Sequence, residues 1–284
     1  MKKLILALLF ISSILNAKIN TVVSIVPQQT FTQAIGGDKV NITLMVKPGN
    51  SPHTYEPKPS QMKEISQADI YFSIGVEFEE AWLDRFKNQN RNMKIIDISK
   101  GINKIDIQEH SHGQEQSHKK EHHDHDEKDP HIWTSPKNVK IIAQNIYKAF
   151  VEIDNKNKEY YKANLDKFLL HVDTVDKKLK SILNQPNKRF MVFHPSWGYF
   201  AKEYNLIQIP IEVEGKNPKP KELIHLIEEA KEEKVSAIFT APEFSDAIAK
   251  QIANELQIPV IKISPLSKNW TETLETLAKA IANK

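Results

Sequence analysis

Apolar residues fall in short runs along most of the chain, and the runs alternate with stretches of helical spacing. Thr21 to Val26, Val40 to Val46, Asp69 to Ile74 and Lys94 to Ile98 are apolar blocks of strand length. Ser60 to Ala68 and Glu79 to Lys87 read as helices between them. Strands alternating with helices predict a parallel sheet covered on both faces. From Arg189 the pattern repeats. Strands are expected at Arg189 to Phe193, Leu206 to Ile211, Val235 to Thr240 and Val260 to Ile263. Helices are expected at Trp197 to Tyr204, Pro220 to Glu232, Ser245 to Leu256 and Thr271 to Ala282. This second α/β unit has about 100 residues, an ordinary domain size.

Between the two units the period changes. Pro136 opens a helix to about Ile153, and a longer one is expected from about Lys156 to Leu183. Its apolar residues are Tyr161, Leu165, Phe168, Val172, Val175, Leu179 and Ile182, spaced alternately by four and three. That spacing keeps one stripe on one side, and the segment contains no Gly or Pro. At 1.5 Å per residue it reaches about 40 Å, the width of a domain or more. The expected architecture is two α/β lobes, residues 18–154 and 186–284, joined by a stiff helix over 155–185.

Composition narrows the class. The 284 residues include 39 basic and 36 acidic side chains, a net charge of +3. Near balance, with lysines interleaved among acids, gives no electrostatic case for nucleic acid. No strand is followed by Gly-x-Gly-x-x-Gly, so dinucleotide binding has no support. Lys2 and Lys3, the apolar run from Leu4 to Ile14, and Ala17 have the order of a secretory leader, with cleavage expected after Ala17. The run is shorter than the roughly 20 residues that span a bilayer. There is no cysteine. The mature protein is therefore expected to carry no lipid anchor, and any metal must be held by His, Asp, Glu or water.

The histidines carry the chemistry. His53 follows Gly49-Asn50-Ser51-Pro52, in a turn-rich loop directly after a predicted strand. His131 lies in Asp129-Pro130-His131-Ile132-Trp133, and His194 in Phe193-His194-Pro195-Ser196-Trp197 at the end of a strand. Open α/β sheets bind ligands outside the carboxyl ends of their strands. Each histidine touches a proline, which limits how far its loop can wander. A lone loop histidine is more often satisfied by ordinary hydrogen bonds, but three in such settings point to a metal site. Trp133 and Trp197 read as packing that shields it.

Six further histidines, His110, His112, His118, His122, His123 and His125, lie within sixteen residues of a polar tract spanning 108–128. Such a tract is expected to be a loop without a core, either inert or able to gather metal weakly and raise its local concentration. His171 and His225, on predicted helices, read as ordinary.

Pro52-His53-Thr54-Tyr55-Glu56-Pro57, Asp129-Pro130-His131-Ile132-Trp133 and Phe193-His194-Pro195-Ser196-Trp197-Gly198-Tyr199-Phe200 resemble, in order, the ligand segments of substrate-binding proteins of zinc and manganese ABC importers. The resemblance covers the mature chain, and the histidine tract resembles the zinc-specific branch. It implies one metal in the cleft, with His53 and His131 from the first lobe and His194 from the second. Manganese-binding members commonly have a carboxylate at the His194 position. Three imidazoles suit Zn²⁺, whereas Mn²⁺ prefers more oxygen. Zn²⁺ also takes a fourth ligand. The family often supplies Asp or Glu near the last strand, but here Ser264 and Ser267 stand in Ile263-Ser264-Pro265-Leu266-Ser267. Water is the first candidate and Glu243 the second, while Glu56 reads as structural.

The resemblance implies a monomeric, non-enzymatic protein that captures Zn²⁺ in the periplasm and passes it to the membrane permease of an ABC importer. Two alternatives stand beside it. Three histidines and a water also describe a catalytic zinc, with Glu243 as general base, although no His-Glu-x-x-His is present. A periplasmic zinc store or chaperone would share the cleft and need no importer.

Overall fold

The computed structural model describes residues 18–108, 128–213 and 215–282. The proposed cleavage point and the six tract histidines lie outside the described residues. The first unit is a sheet of four parallel strands, β1 (Ile19–Val23), β2 (Val40–Leu44), β3 (Ile70–Ser73) and β4 (Lys94–Asp97), in the order β2-β1-β3-β4. Its helices are α1 (Val26–Gly36), α2 (Pro59–Ser66), α3 (Glu77–Gln89) and α4 (Pro136–Ile153). Helix α5 (Lys158–Ile182) leads to the second unit. There β5 (Arg189–Val192), β6 (Ile207–Pro210), β7 (Ile238–Thr240) and β8 (Val260–Lys262) pair in parallel as β6-β5-β7-β8. Helices α6 (Gly198–Glu203), α7 (Pro220–Glu232), α8 (Ala247–Leu256) and α9 (Trp270–Ala282) complete it. Two parallel α/β lobes joined by one long helix are the expected fold.

Side-chain alternation explains how the second sheet is covered. Along β5, Phe190 and Val192 enter the core shared with α5 and α9, while Met191 and Phe193 enter a second core with Leu226 and Ile252. Pro210 is tolerated because β6 is an edge strand. On α5 the stripe is buried from Tyr161 through Leu179 as the spacing predicts. Ile182 is only half-buried, and Leu183, just past the helix, fills the last place. α5 packs on α4, α1 and α9, so its stripe touches helices of both lobes.

Helix α1 is the main departure from expectation. The block Thr21 to Val26 is not one strand: β1 ends at Val23 and α1 begins at Val26. The helical period is masked because two of the buried positions, Gln28 and Thr32, are polar. Gln28 Oε1 accepts from the N–H groups of Ser24 and Ile25, at 2.9 and 3.0 Å, and Nε2 donates to the Phe72 carbonyl at 2.8 Å. One amide thus closes the start of α1 and ties it to β3.

Candidate metal centre

The carboxyl ends of the strands face one another across the lobes, and the three histidines sit there. His53 lies on the loop between β2 and α2. His131 opens the short 3-10 turn Ile132–Thr134 ahead of α4, and His194 follows β5. One ring nitrogen from each lies within 4.8 Å of the others. Ring centroids are 4.7 Å apart for His53 and His194, 5.2 Å for His131 and His194, and 6.2 Å for His53 and His131. His131 is buried and the other two are partly so.

Each imidazole is held from behind by a carboxylate. Nδ1 of His53 meets Glu77 Oε1 at 2.8 Å, Nδ1 of His131 meets Asp129 Oδ1 at 2.8 Å, and Nδ1 of His194 meets Glu212 Oε1 at 2.7 Å. A carboxylate on Nδ1 makes that nitrogen the N–H donor and leaves the Nε2 lone pair for a metal. Nε2 of His194 is buried with no hydrogen-bond partner. Such an atom is costly to leave unsatisfied, and a metal would satisfy it. Burial pushes the His194 imidazole below its ordinary pKa; the Glu212 bond opposes this and the neighbouring His131 and His53 reinforce it. The ring is therefore neutral, as a ligand must be, at neutral pH. Burial alone would raise the Glu77 carboxyl, but the bond and charge of His53, with His131 nearby, outweigh it and hold Glu77 low.

These carboxylates are the site residues that sequence reasoning missed. Asp129 lies in the same motif as His131, two residues before it. Glu212 is the acid that ends the apolar run after β6, and Glu77 opens α3. Glu79, two residues further along the same helix, is buried. It accepts the Ser24 hydroxyl and the N–H groups of Ile74 and Gly75, at 3.0 and 2.7 Å. Burial pushes its carboxyl up to about 7. These bonds fix the start of α3, and with it Glu77.

Ser51, Pro52, Glu243, Phe244, Pro265 and Leu266 complete the lining around a space of ≈ 10 Å³, room for about one water or ion. Phe244 stacks on His194, with centroids 4.8 Å apart. Glu243 lines this space but stands outside the converging group of three. Its Oε1 accepts from the Ser264 hydroxyl at 2.8 Å, and its Oε2 is buried without a partner. Ser264 is thereby committed to Glu243 and to the N–H of Leu266, and Ser267 accepts from the N–H of Asn269. Trp133 packs 5.2 Å from His131, as a shield would. Trp197 instead enters the core beside Phe200. Tyr55 donates to Gln61 and packs on Phe78, a structural part, while Glu56 is exposed. His171 bonds Thr271 and His225 is exposed beside Glu228, both away from the cluster. A larger groove of ≈ 450 Å³ between α1, α5 and α9 includes Phe31, Phe168 and His171. It carries no converging set of metal ligands among the described residues.

The lobes are tied together beside the site. Trp133 Nε1 donates to the Pro265 carbonyl at 2.9 Å, and Trp270 Nε1 returns to the Trp133 carbonyl at 2.8 Å. Tyr199 donates to the Asp129 carbonyl at 2.8 Å. A Cβ on Gly198 would stand 2.6 Å from Asp129 Oδ2, so only glycine allows this approach. The 108–128 tract leaves and returns at the paired residues Asp106 and Lys128, directly before Asp129.

Two braced α/β lobes closing a small histidine trap define a metal-binding protein of the solute-binding class. Residues 21–284 match the family described as zinc-uptake complex component A, periplasmic, or ZnuA, and the chain belongs to that family. A solved ZnuA structure superposes with a TM-score of 0.85 at 41% identity, covering 94% of this chain and 98% of that one. The chain is 30% identical to the metal ABC transporter substrate-binding lipoprotein ScbA of Streptococcus cristatus, over 86% of its own length and 79% of the relative's. It is also 30% identical to the high-affinity zinc uptake protein ZnuA of Bacillus subtilis (strain 168), over 84% and 76%. The protein is thus a substrate-binding component of ABC-type metal import and not an enzyme, and the hydrolase reading falls away.

Proposed function

We propose that the cargo is Zn²⁺, held by Nε2 of His53, His131 and His194. The buried, unpartnered Nε2 of His194 carries this reading. Relatives of the family are named for manganese as well as for zinc, so the donor set decides. Three imidazoles, with no carboxylate in the converging group among the described residues, favour Zn²⁺ over the harder Mn²⁺. In tetrahedral zinc the ligand atoms lie about 3.3 Å apart for metal–nitrogen bonds of about 2.0–2.1 Å. The rings need to draw in only modestly from their present spacing. Water takes the fourth position, with Glu243 Oε2 as the alternative.

On this reading residues 18–154 and 186–284 act as two jaws and 155–185 as their brace. The chain works as a monomer in the periplasm, its leader removed near Ala17, and hands zinc to the permease. The 108–128 tract gathers zinc weakly near the cleft. Competition titration of the full chain tests the assignment. Zinc is expected to fill one tight site that a large excess of manganese does not empty, and His194→Ala is expected to abolish that site. Displacement by equimolar manganese would overturn it.

A further inference from the structure

Helix α6 is short, but it lies between two of the ligand segments. It opens at Gly198, just after the His194 turn, and the chain between is folded on itself. The Ser196 N–H donates to the His194 carbonyl at 2.8 Å, and the Ala201 N–H donates to the Trp197 carbonyl at 2.8 Å. The Trp197 N–H donates to Gln208 Oε1 at 2.8 Å, which fixes the start of the helix on β6. A displacement of α6 is therefore carried directly into the His194 turn.

Two side chains of α6, one turn apart on the same face, reach the first lobe and bracket the His131 segment. Ahead of His131, the Tyr199 hydroxyl donates to the Asp129 carbonyl at 2.8 Å, and Asp129 in turn holds His131 Nδ1. Behind it, the Glu203 carboxylate accepts the Ser135 hydroxyl, and also the Lys137 N–H at 3.2 Å. These are the first residues of α4. Pro136 has no N–H, and Ser135 Oγ already accepts from Asn138 at 3.2 Å. Lys137 thus carries a donor that the first turn of a helix leaves over, and a carboxylate of the other lobe takes it, with the sign that a helix start favours. Between the two brackets the chain is one bonded piece. The N–H and hydroxyl of Thr134 both donate to the His131 carbonyl, at 3.1 and 2.9 Å. Tyr199 and Ser135 are buried and Glu203 is half-buried, so water competes little for these bonds.

We infer that α6 is a strut that sets the separation of His131 and His194, and that Glu203 is the positioning residue that fixes its far end. One end of the strut is continuous with the His194 turn, and the other grips the start of α4, into which the His131 turn runs. Two ligands from different lobes are thereby made into one rigid half of the trap. The inference rests on the three-histidine zinc reading above, and goes beyond it by giving a role to a residue outside the trap. Ligating groups need to be held to within roughly 0.5 Å of their working geometry. With the far end of α6 free, the two rings would drift against each other, and the loss should fall mainly on the rate of release.

The test compares the full-length wild type with E203A, E203Q and Y199F. Metal-free samples are followed by amide hydrogen exchange, and zinc-loaded samples by the rate at which a chromophoric chelator takes the metal. In E203A, exchange of the Lys137 amide is expected to quicken, and with it that of Thr134 and Ser135 in the His131 turn. Zinc release should be about tenfold faster, the low end of what partners bonded directly to a ligand contribute, with association near the wild-type rate. E203Q keeps an acceptor for both donors and should release zinc at nearly the wild-type rate. Y199F frees the other bracket and should quicken release as E203A does. Faster exchange confined to Lys137, or release unchanged in both E203A and Y199F, would overturn the inference and leave Glu203 as a helix cap alone. Release from E203Q as fast as from E203A would overturn the part assigned to its hydrogen bonds. Should the wild type itself fail to hold zinc, the zinc assignment falls, while exchange in the metal-free protein still decides whether α6 braces the His131 turn.

Discussion

At the scale of single residues, the centre depends on pairs. Each histidine has its Nδ1 on a carboxylate, so orientation and tautomer are set before metal arrives. Partners of this kind are worth about 10–100-fold in metal affinity. Glu212→Gln is therefore expected to weaken zinc by that range while the fold persists, measured by competition with a chromophoric chelator; an unchanged Kd would mean that Glu212 does not orient His194. The pH dependence has a definite sign. Binding needs neutral imidazoles, and burial holds the His194 imidazole below its ordinary value, so its neutral form prevails at neutral pH and is lost as pH falls through the lowered value. Affinity should hold near pH 7.5 and collapse toward pH 5, and equal Kd values at the two would rule out the three-histidine site. The histidines were legible in the sequence because turn residues and prolines mark strand ends. Glu77 and Glu212 were not, because one acid among 36 acquires meaning only when folding brings it against a ring. The bond from Ser264 that holds Glu243 depends on loop geometry that spacing does not encode.

At the scale of elements, period and burial agree wherever a buried face is wholly apolar. Helix α5 is the clear case, with its four-and-three stripe buried nearly to the end. They disagree at α1, where a buried amide replaces an apolar side chain. Gln28 satisfies two N–H groups and a carbonyl that are otherwise sealed in the lobe. Its replacement by alanine leaves them unpaired, at about 1–3 kcal/mol for each buried group. Gln28→Ala is expected to lower the urea midpoint markedly without touching the metal ligands. A midpoint within error of wild type would show that water reaches these groups. Strand ends were less legible than strand centres: β7 begins at Ile238 rather than Val235, because pairing with β5 and β8 starts only there.

At the scale of the molecule, two lobes meet where their strands end, and α5 lies along both. Indole bonds from Trp133 and Trp270 and the Tyr199 bond cross the cleft beside His131, so two of the three ligands sit on mutually braced segments. The His53 loop is held within its own lobe, by Asn50 to Lys47, His53 to Ser51 and His53 to Glu77 among others. Capture is accordingly expected to move the lobes little and the His53 loop more. Both this expectation and the three-histidine zinc site are decided by diffraction from zinc-loaded full-length crystals at the zinc absorption edge, compared with metal-free crystals. One strong anomalous peak is expected about 2.0–2.1 Å from Nε2 of His53, His131 and His194, with the lobes nearly superposable. A principal peak elsewhere, or one bound by fewer than all three rings, would contradict it.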